Sequence, residues 1–243
     1  MLGLAVPLAR AWPAVPVSAA VPDLRALVRD GLDADPSSIF GLPPEVANEV
    51  LLRATRDDAL PDGYQPRDLV NAAARGLATS GQQLIRALIL DDTRGLIDAA
   101  ASAGLDLNVG SGFRSQAYQA AVFLAQTSRW GDPETANRYS ARPGHSQHQL
   151  GTTIDFTISF RAFRESDAPA WLRANAHRFG FVLPYTAAAT ERTGYVDEPW
   201  HGRWVGQPLA SAMNVAGYHD WTDVDADDVL SAIRIESGLD ATS

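Results

Sequence analysis

Residues 142–155 read RPGHSQHQLGTTID, which sets two histidines, a serine, two glycines and an aspartate within fourteen positions. The chain then runs through residues 152–160, where Ile154, Phe156, Ile158 and Phe160 alternate with Thr153, Asp155, Thr157 and Ser159. A period of two predicts a strand with one core face and one polar face, and Asp155 falls on the polar face. His148 stands seven residues earlier. On a straight strand that spacing covers about 23 Å, and on a helix about 10 Å along the axis. Ligands of one metal ion sit about 2 Å from it, so a shared ion requires the chain to fold back between the two residues. Gly151 is the natural place for that reversal.

The metal reading also follows from what the composition removes. The sequence has no cysteine, so disulfides, thiolate nucleophiles and cysteine–zinc sites are excluded together. A metal must then be held by His, Asp or Glu. A second reactive segment, Glu198-Pro-Trp-His201, follows about fifty residues on. Catalytic zinc sites commonly use three protein ligands and keep one position open. His201 is the candidate third ligand beside His148 and Asp155. Pro199 bends the chain just before it, which can bring Glu198 to the same point although a regular strand would separate them. Glu198 is then placed as general base for a metal-activated water, and Arg114 as the positive charge for the developing oxyanion. Each residue also has a plain structural reading: a solvated loop histidine, an exposed strand aspartate, an arginine ending a strand.

The surrounding chain predicts one globular unit. Residues 1–45 hold seven of the fifteen prolines and read as a tail with a short helix near 24–32, a degraded or mis-started leader among its readings. A single domain is expected over residues 46–243. Its elements are a helix over 43–58, a turn over 61–66, a helix over 82–103 closed by Gly104, and a strand over 105–114 with Leu107 and Val109 on one face. Ser115 is the expected N-cap of a helix reaching about residue 128. Further on come a helix over 169–179 ended by Gly180, strands over 181–185 and 200–206, and helices over 208–217 and 225–235. Strands and helices do not alternate regularly. The expected class is therefore α+β, a small mainly antiparallel sheet flanked by helices, with the metal site at one face of the sheet.

A net charge of −9 argues against a nucleic-acid partner. No apolar run is long enough for a membrane span, and a monomer is expected. Among the other histidines, His145 either lines the cleft or is structural, His177 complements a helix C-terminus, and His219 is solvated. Trp200 is a cleft wall or simple packing. Structural roles suit Tyr185 and Arg203 at least as well as roles in the cleft.

Three blocks, SGFRSQAYQ at 111–119, RPGHSQHQLGTTIDF at 142–156 and EPWHGRWVG at 198–206, resemble the VanY-type zinc D-alanyl-D-alanine carboxypeptidases of the LAS, or hedgehog-like, peptidase superfamily. The segment WLRANAHRFGFVLPY at 171–185 resembles the family's helix-to-strand connection, and the likeness covers about residues 64–216 with block order and spacing preserved. The resemblance implies one Zn2+ held by His148, Asp155 and His201, with Glu198 as base and Arg114 stabilising the tetrahedral intermediate. It implies Gln119 and Ser146 as substrate contacts and a peptidoglycan stem peptide as substrate, hence an envelope or secreted location. Alternative implications are an L,D-carboxypeptidase, a D,D-dipeptidase, an endolysin-type endopeptidase, or a non-catalytic peptidoglycan-binding module. The chain departs from the family pattern at Phe113 and Trp204, where tyrosine is frequent, and at Thr152-Thr153, which replaces a more apolar pair.

Overall fold

The computed structural model of the chain describes residues 46, 49–50, 52–157 and 159–215. The tail, the helices expected over 24–32 and 225–235, Ile158 and His219 lie outside the described residues. Of the helix expected over 43–58, residues 46, 49 and 50 are helical, but residues 52–60 are not. The completely buried Arg203 explains the stop, because its Nη2 donates to the carbonyls of Val50 (3.2 Å) and Leu52 (2.8 Å). A cation on carbonyl groups of this kind closes a helix end. Thr55 and Asp58 then form a turn, and Tyr64 N–H donates to Pro61 O to close the expected turn over 61–66.

Strands β1 (Leu69–Asn71) and β2 (Leu84–Arg86) pair antiparallel, with Val70 opposite Ile85. β2 corrects the reading of 82–103 as one helix. The helical spacing of Ile85 and Ile89 is real, and both are fully buried. However, the backbone groups of 83–86 are taken by neighbours on several sides. Gln83 O accepts from Ala72, Leu84 O from Phe113, and Arg86 N–H donates to Gly151 O. A helix here would leave those neighbours unpaired. The helix α1 (Leu90–Ser102) starts only after a 3-10 turn, Ala87–Ile89. It ends as expected, with Gly104 at φ +80° and Leu105 N–H donating back to Ala100 O.

Residues 105–114 turn Leu107 and Val109 into the core as expected but form no continuous strand. They make only isolated bridges, Thr79 with Val109 and Ser111 with Asp155. Their hydrogen bonds are divided: Val109 to Ala78, Gly110 to Asp155, Phe113 to Leu84 and Arg114 to His148. Gly112 passes so close to β2 that a Cβ there would lie 2.2 Å from Leu84 O. The segment therefore joins two sheets and belongs to neither.

The helix α2 (Gln116–Trp130) is N-capped by Ser115, whose hydroxyl accepts from Tyr118 N–H. A short helix α3 (Pro133–Ala136) follows. The second sheet has order β3-β5-β4, from β3 (Thr153–Asp155), β4 (Phe181–Val182) and β5 (His201–Trp204), all antiparallel. The strand expected over 152–160 is thus shortened. Phe156 N–H still bonds Trp200 O, but β5 begins only at His201, and Pro199 before it has no N–H with which to continue the ladder. Phe160, 47% exposed, instead opens α4 (Phe160–Arg164).

Between β3 and β5 the chain also forms α5 (Ala168–Asn175), extended by a 3-10 turn to Phe179, and α6 (Thr190–Thr193). Gly180 ends the first of these at φ +77°, as expected. The strand expected over 181–185 keeps only its first two residues, and that expected over 200–206 keeps His201–Trp204. The closing helix is α7 (Gln207–Val215). The fold is α+β, with small antiparallel sheets and helices packed around Ile85, Leu96, Ile154, Phe156, Leu172 and Phe181.

Candidate metal centre

Two local devices bring the predicted ligands together. The first is the reversal at Gly151. His148 sits on a 3-10 helix, Gln147–Leu150, whose N-cap Ser146 accepts from His148 N–H. Gly151 follows at φ +70°, where a Cβ would lie 3.0 Å from Arg86 Cγ and 3.1 Å from Leu69 Cδ2. Only glycine suits both the conformation and the space. The second device is sheet register. Asp155 on β3 stands directly opposite His201 on β5, and opposed residues share a face. Asp155 lies on the face away from Ile154 and Phe156, as the alternation predicted, but it is buried.

The three side chains meet in a small volume. His148 Nε2 lies 3.4 Å from Asp155 Oδ2, and His201 Nδ1 lies 3.3 Å from Asp155 Oδ1. One ligand atom from each residue falls within 4.8 Å of the others. His148 Nε2, Asp155 Oδ1 and His201 Nδ1 are all buried without a hydrogen-bond partner. The opposite ring nitrogens are engaged. His148 Nδ1 contacts Gly112 O at 2.8 Å, and His201 Nε2 contacts Gln147 Oε1 at 3.1 Å. Both partners are carbonyl oxygens, which only accept, so each of those nitrogens carries the proton. The free lone pairs of both imidazoles therefore point at the Asp155 carboxylate. Clustered, desolvated lone pairs with nothing between them are costly. A divalent cation satisfies all three, and partners on the far ring nitrogens are the usual support for metal-bound histidine. The donor set fits a metal.

Electrostatics agree with that fit. Burial, with the Arg114 charge adding to it, pushes His148 down to about 4. Burial also lowers His201, against the opposing pull of Asp155. Both rings are thus held neutral, the form that binds metal. Burial alone would raise Asp155, but a proton entering the cluster goes to the facing His148 or His201 before the carboxylate, so Asp155 is lowered well below the usual range and stays ionised beside the neutral rings. Glu198 is pushed the other way. Burial and the Asp155 charge raise it to about 8.

Glu198 Oε2 stands 3.5 Å from His201 Nδ1. The turn through Pro199 closes on itself, His201 N–H donating to Glu198 O, which brings the two side chains to one point as the proline suggested. Arg114 Nη2 lies 3.8 Å from Asp155 Oδ2, and its Nη1 donates to Gln119 Oε1. Gln119 is fully buried, and its amide donates to Ser140 Oγ and Ala141 O. Gln119 and Ser146 line an inner pocket with His148, His201 and Glu198. All seven predicted residues are therefore within one site.

Some readings are resolved differently. His145 turns away from the cleft and bonds Thr55 O at 2.8 Å, so it is structural. Arg203 is structural too. Trp200 is a cleft wall, tilted against Phe160 and covered by Arg164. Tyr185 packs its ring 4.6 Å from that of His201 and lines the inner pocket. Gln147, which orients His201, was missed by sequence reasoning. A glutamine between two reactive residues carries no signal of its own.

The fold and the donor set define a class: an α+β protein with a buried His-Asp-His metal site, flanked by a glutamate and an arginine at the floor of an open cleft. The family model described as VanY, D-alanyl-D-alanine carboxypeptidase, matches residues 82–207. The chain belongs to the VanY family. It is 30% identical to YodJ of Bacillus subtilis over 172 residues, which cover 68% of this chain and 63% of that one. The LdcB LD-carboxypeptidase superposes with a TM-score of 0.64 at 28% identity, covering 76% of this chain and 87% of LdcB. A VanY D,D-pentapeptidase mutant from a VanB-type resistance cassette, in complex with Zn(II), gives 0.60 at 25% identity, covering 75% of this chain and 99% of that one. The chain spans less than two thirds of the length of the first curated relatives it matches.

Proposed function

We propose that this chain is a zinc-dependent carboxypeptidase that hydrolyses the C-terminal D-alanyl-D-alanine bond of peptidoglycan stem peptides. The observation that carries the reading is the set of three buried, partnerless donor atoms on His148, Asp155 and His201, with the Glu198 carboxylate 3.5 Å from His201 Nδ1. The zinc of the similar VanY structure supports the choice of metal. Bound at His148, Asp155 and His201, a zinc ion supplies Lewis acidity and lowers the pKa of a water.

The chain's own groups do the rest. Glu198 takes the proton of the attacking water and passes it to the leaving amine. A binding module has no need of a base at this place. Arg114, held by Gln119, faces the oxyanion that develops on the scissile carbonyl. Gln119 and Ser146 line the inner pocket in which the C-terminal residue sits, and Tyr185 narrows it. Trp200 and Phe160 form the opposite wall and exclude water from one side. Such a substrate places the protein in the cell envelope or outside the cell. Among the described residues no helix is long and apolar enough to cross a membrane.

The likeness to LdcB, at the higher TM-score of the two structures, supports a second reading in which the same site cuts the L,D bond of a tetrapeptide. One experiment tests both. Zinc-loaded protein is incubated separately with a pentapeptide ending in D-Ala-D-Ala and with the corresponding tetrapeptide, and products are weighed by mass spectrometry. Release of one D-alanine from the pentapeptide is expected. Cleavage of the tetrapeptide alone moves the assignment to the L,D bond, and no cleavage of either overturns both.

A further inference from the structure

The open cleft above the metal centre, about 1060 Å3 in volume, carries a charge pattern that the hydrolysis does not use. Its lining includes Arg114, Arg129 and Arg164, and no acidic residue besides Asp155 and Glu198. This is unusual on a chain of net charge −9. Two of the three guanidiniums are already matched. Arg114 bonds Gln119 and faces Asp155. Arg164 pairs with Asp197 at 2.7 Å and covers Trp200. Arg129 differs: among the described residues no carboxylate pairs with it, and its guanidinium lies 5.5 Å from the Trp130 ring centroid.

The surface beneath Arg129 is continuous with the catalytic pocket. Tyr139 lines both the inner pocket and the outer cleft. It stacks on Trp130 with ring centroids 4.3 Å apart and planes 11° apart. Both rings keep more than a third of their surface exposed, so an aromatic shelf leads outward from the metal centre to Arg129. The helix α2 forms the wall along it. Tyr118, Val122, Gln126 and Arg129 recur at helical spacing and all face the cleft. From Gln119, in the inner pocket, to Arg129 the helix rises ~15 Å. A peptide laid extended along that wall covers the distance in about four or five residues.

We propose that Arg129, on the Trp130–Tyr139 shelf, is a subsite for a carboxylate in the N-terminal half of a five-residue substrate. The guanidinium fork suits a carboxylate in particular, because two N–H groups can meet two oxygens. The shelf supports the intervening backbone by its apolar faces. A neutral sugar stacked on Trp130 would have no use for the unpaired charge. The subsite rests on the peptidase reading above and adds to it a requirement for an acidic, full-length stem.

Two pentapeptides ending in D-Ala-D-Ala test this, identical except that the second residue is D-glutamate with a free α-carboxylate or its α-amide. kcat/KM is measured for both with the zinc-loaded protein and with Arg129→Gln and Arg129→Lys. The unaltered protein is expected to favour the free acid by about tenfold, the worth of one charged hydrogen bond. The ratio is expected to fall to about one in Arg129→Gln, to survive in part in Arg129→Lys, and to shrink as salt rises. A ratio of one in the unaltered protein, or one that Arg129→Gln leaves in place, overturns the subsite while the peptidase reading stands. Failure to cleave either pentapeptide overturns the D,D-carboxypeptidase reading, and the five-residue subsite with it.

Discussion

At the residue scale the proposed roles divide groups that would hold the metal from groups that would act beside it, and substitutions can tell them apart. Asp155 supplies the donor between two neutral imidazoles. Asp155→Ala is expected to lose stoichiometric zinc, read by metal analysis after dialysis; full retention would remove Asp155 from the ligand set. Glu198 makes no such contribution to the lone-pair cluster. Glu198→Gln, nearly the same in shape, is expected to keep its zinc and lose about 10²- to 10⁴-fold in kcat. Unchanged turnover would return the chain to a binding role. Gln147 acts through His201. Gln147→Leu is expected to weaken zinc about 10- to 100-fold in a competition titration with a chelator. The sequence announced the ionisable members of the site, because histidine and aspartate crowded around a glycine, beside an apolar strand, seldom serve packing alone. It was silent on Gln147 and on the Gly112 carbonyl. An amide and a backbone oxygen acquire meaning only when the fold aims them at a ring nitrogen.

At the element scale, what was legible is what local chemistry decides. Ser115 starting α2, Gly104 ending α1 and Gly180 ending the 3-10 turn after α5 all follow from caps and left-handed backbone. What escaped was decided by partners distant in sequence. β2 was hidden inside a helical pattern because its pairing with β1 and with residues 111–113 cannot be read from its own spacing. Residues 105–114 alternate like a strand yet divide their hydrogen bonds among four segments. Gly112 is the tightest point of that junction, with Leu84 O where a Cβ would go. Gly112→Ala is expected to destabilise the fold by about 3 kcal/mol, since backbone must move to admit the methyl, and urea unfolding would show an unchanged midpoint if the contact is loose.

Residues 52–64, which precede the matched region, also grip the metal loop. Leu60 N–H donates to Gly144 O, His145 bonds Thr55 O, and Gln149 donates to Tyr64 O. His145→Asn can put its amide Nδ2 in place of the Nδ1 contact to Thr55 O, and His145→Ala cannot. Weaker zinc binding in the second variant than in the first is therefore expected, and equal binding in both would deny the loop contact any role in shaping the site.

Across the whole molecule, the metal centre is a junction of elements that are each short. β3 and β5 have three and four residues, and the helix carrying His148 is a single 3-10 turn. Strands of that length contribute little ladder of their own. The ion would tie the 3-10 turn, both strands and, through the Gly112 carbonyl on His148, residues 105–114 as well. Without it, the same place holds three desolvated lone pairs and a buried carboxylate. Binding to the folded state alone therefore couples zinc to stability. At free zinc a thousandfold above Kd the gain is about 4 kcal/mol, or roughly 10 °C in Tm for a domain of this size. Chelation is expected to lower Tm by that order, and re-addition of zinc to restore it. In Asp155→Ala the same chelator is expected to change Tm little, because the linkage requires the ligand set. A Tm indifferent to chelator in the unaltered chain would mean that the elements hold each other without the ion, and that the lone pairs are met in some other way.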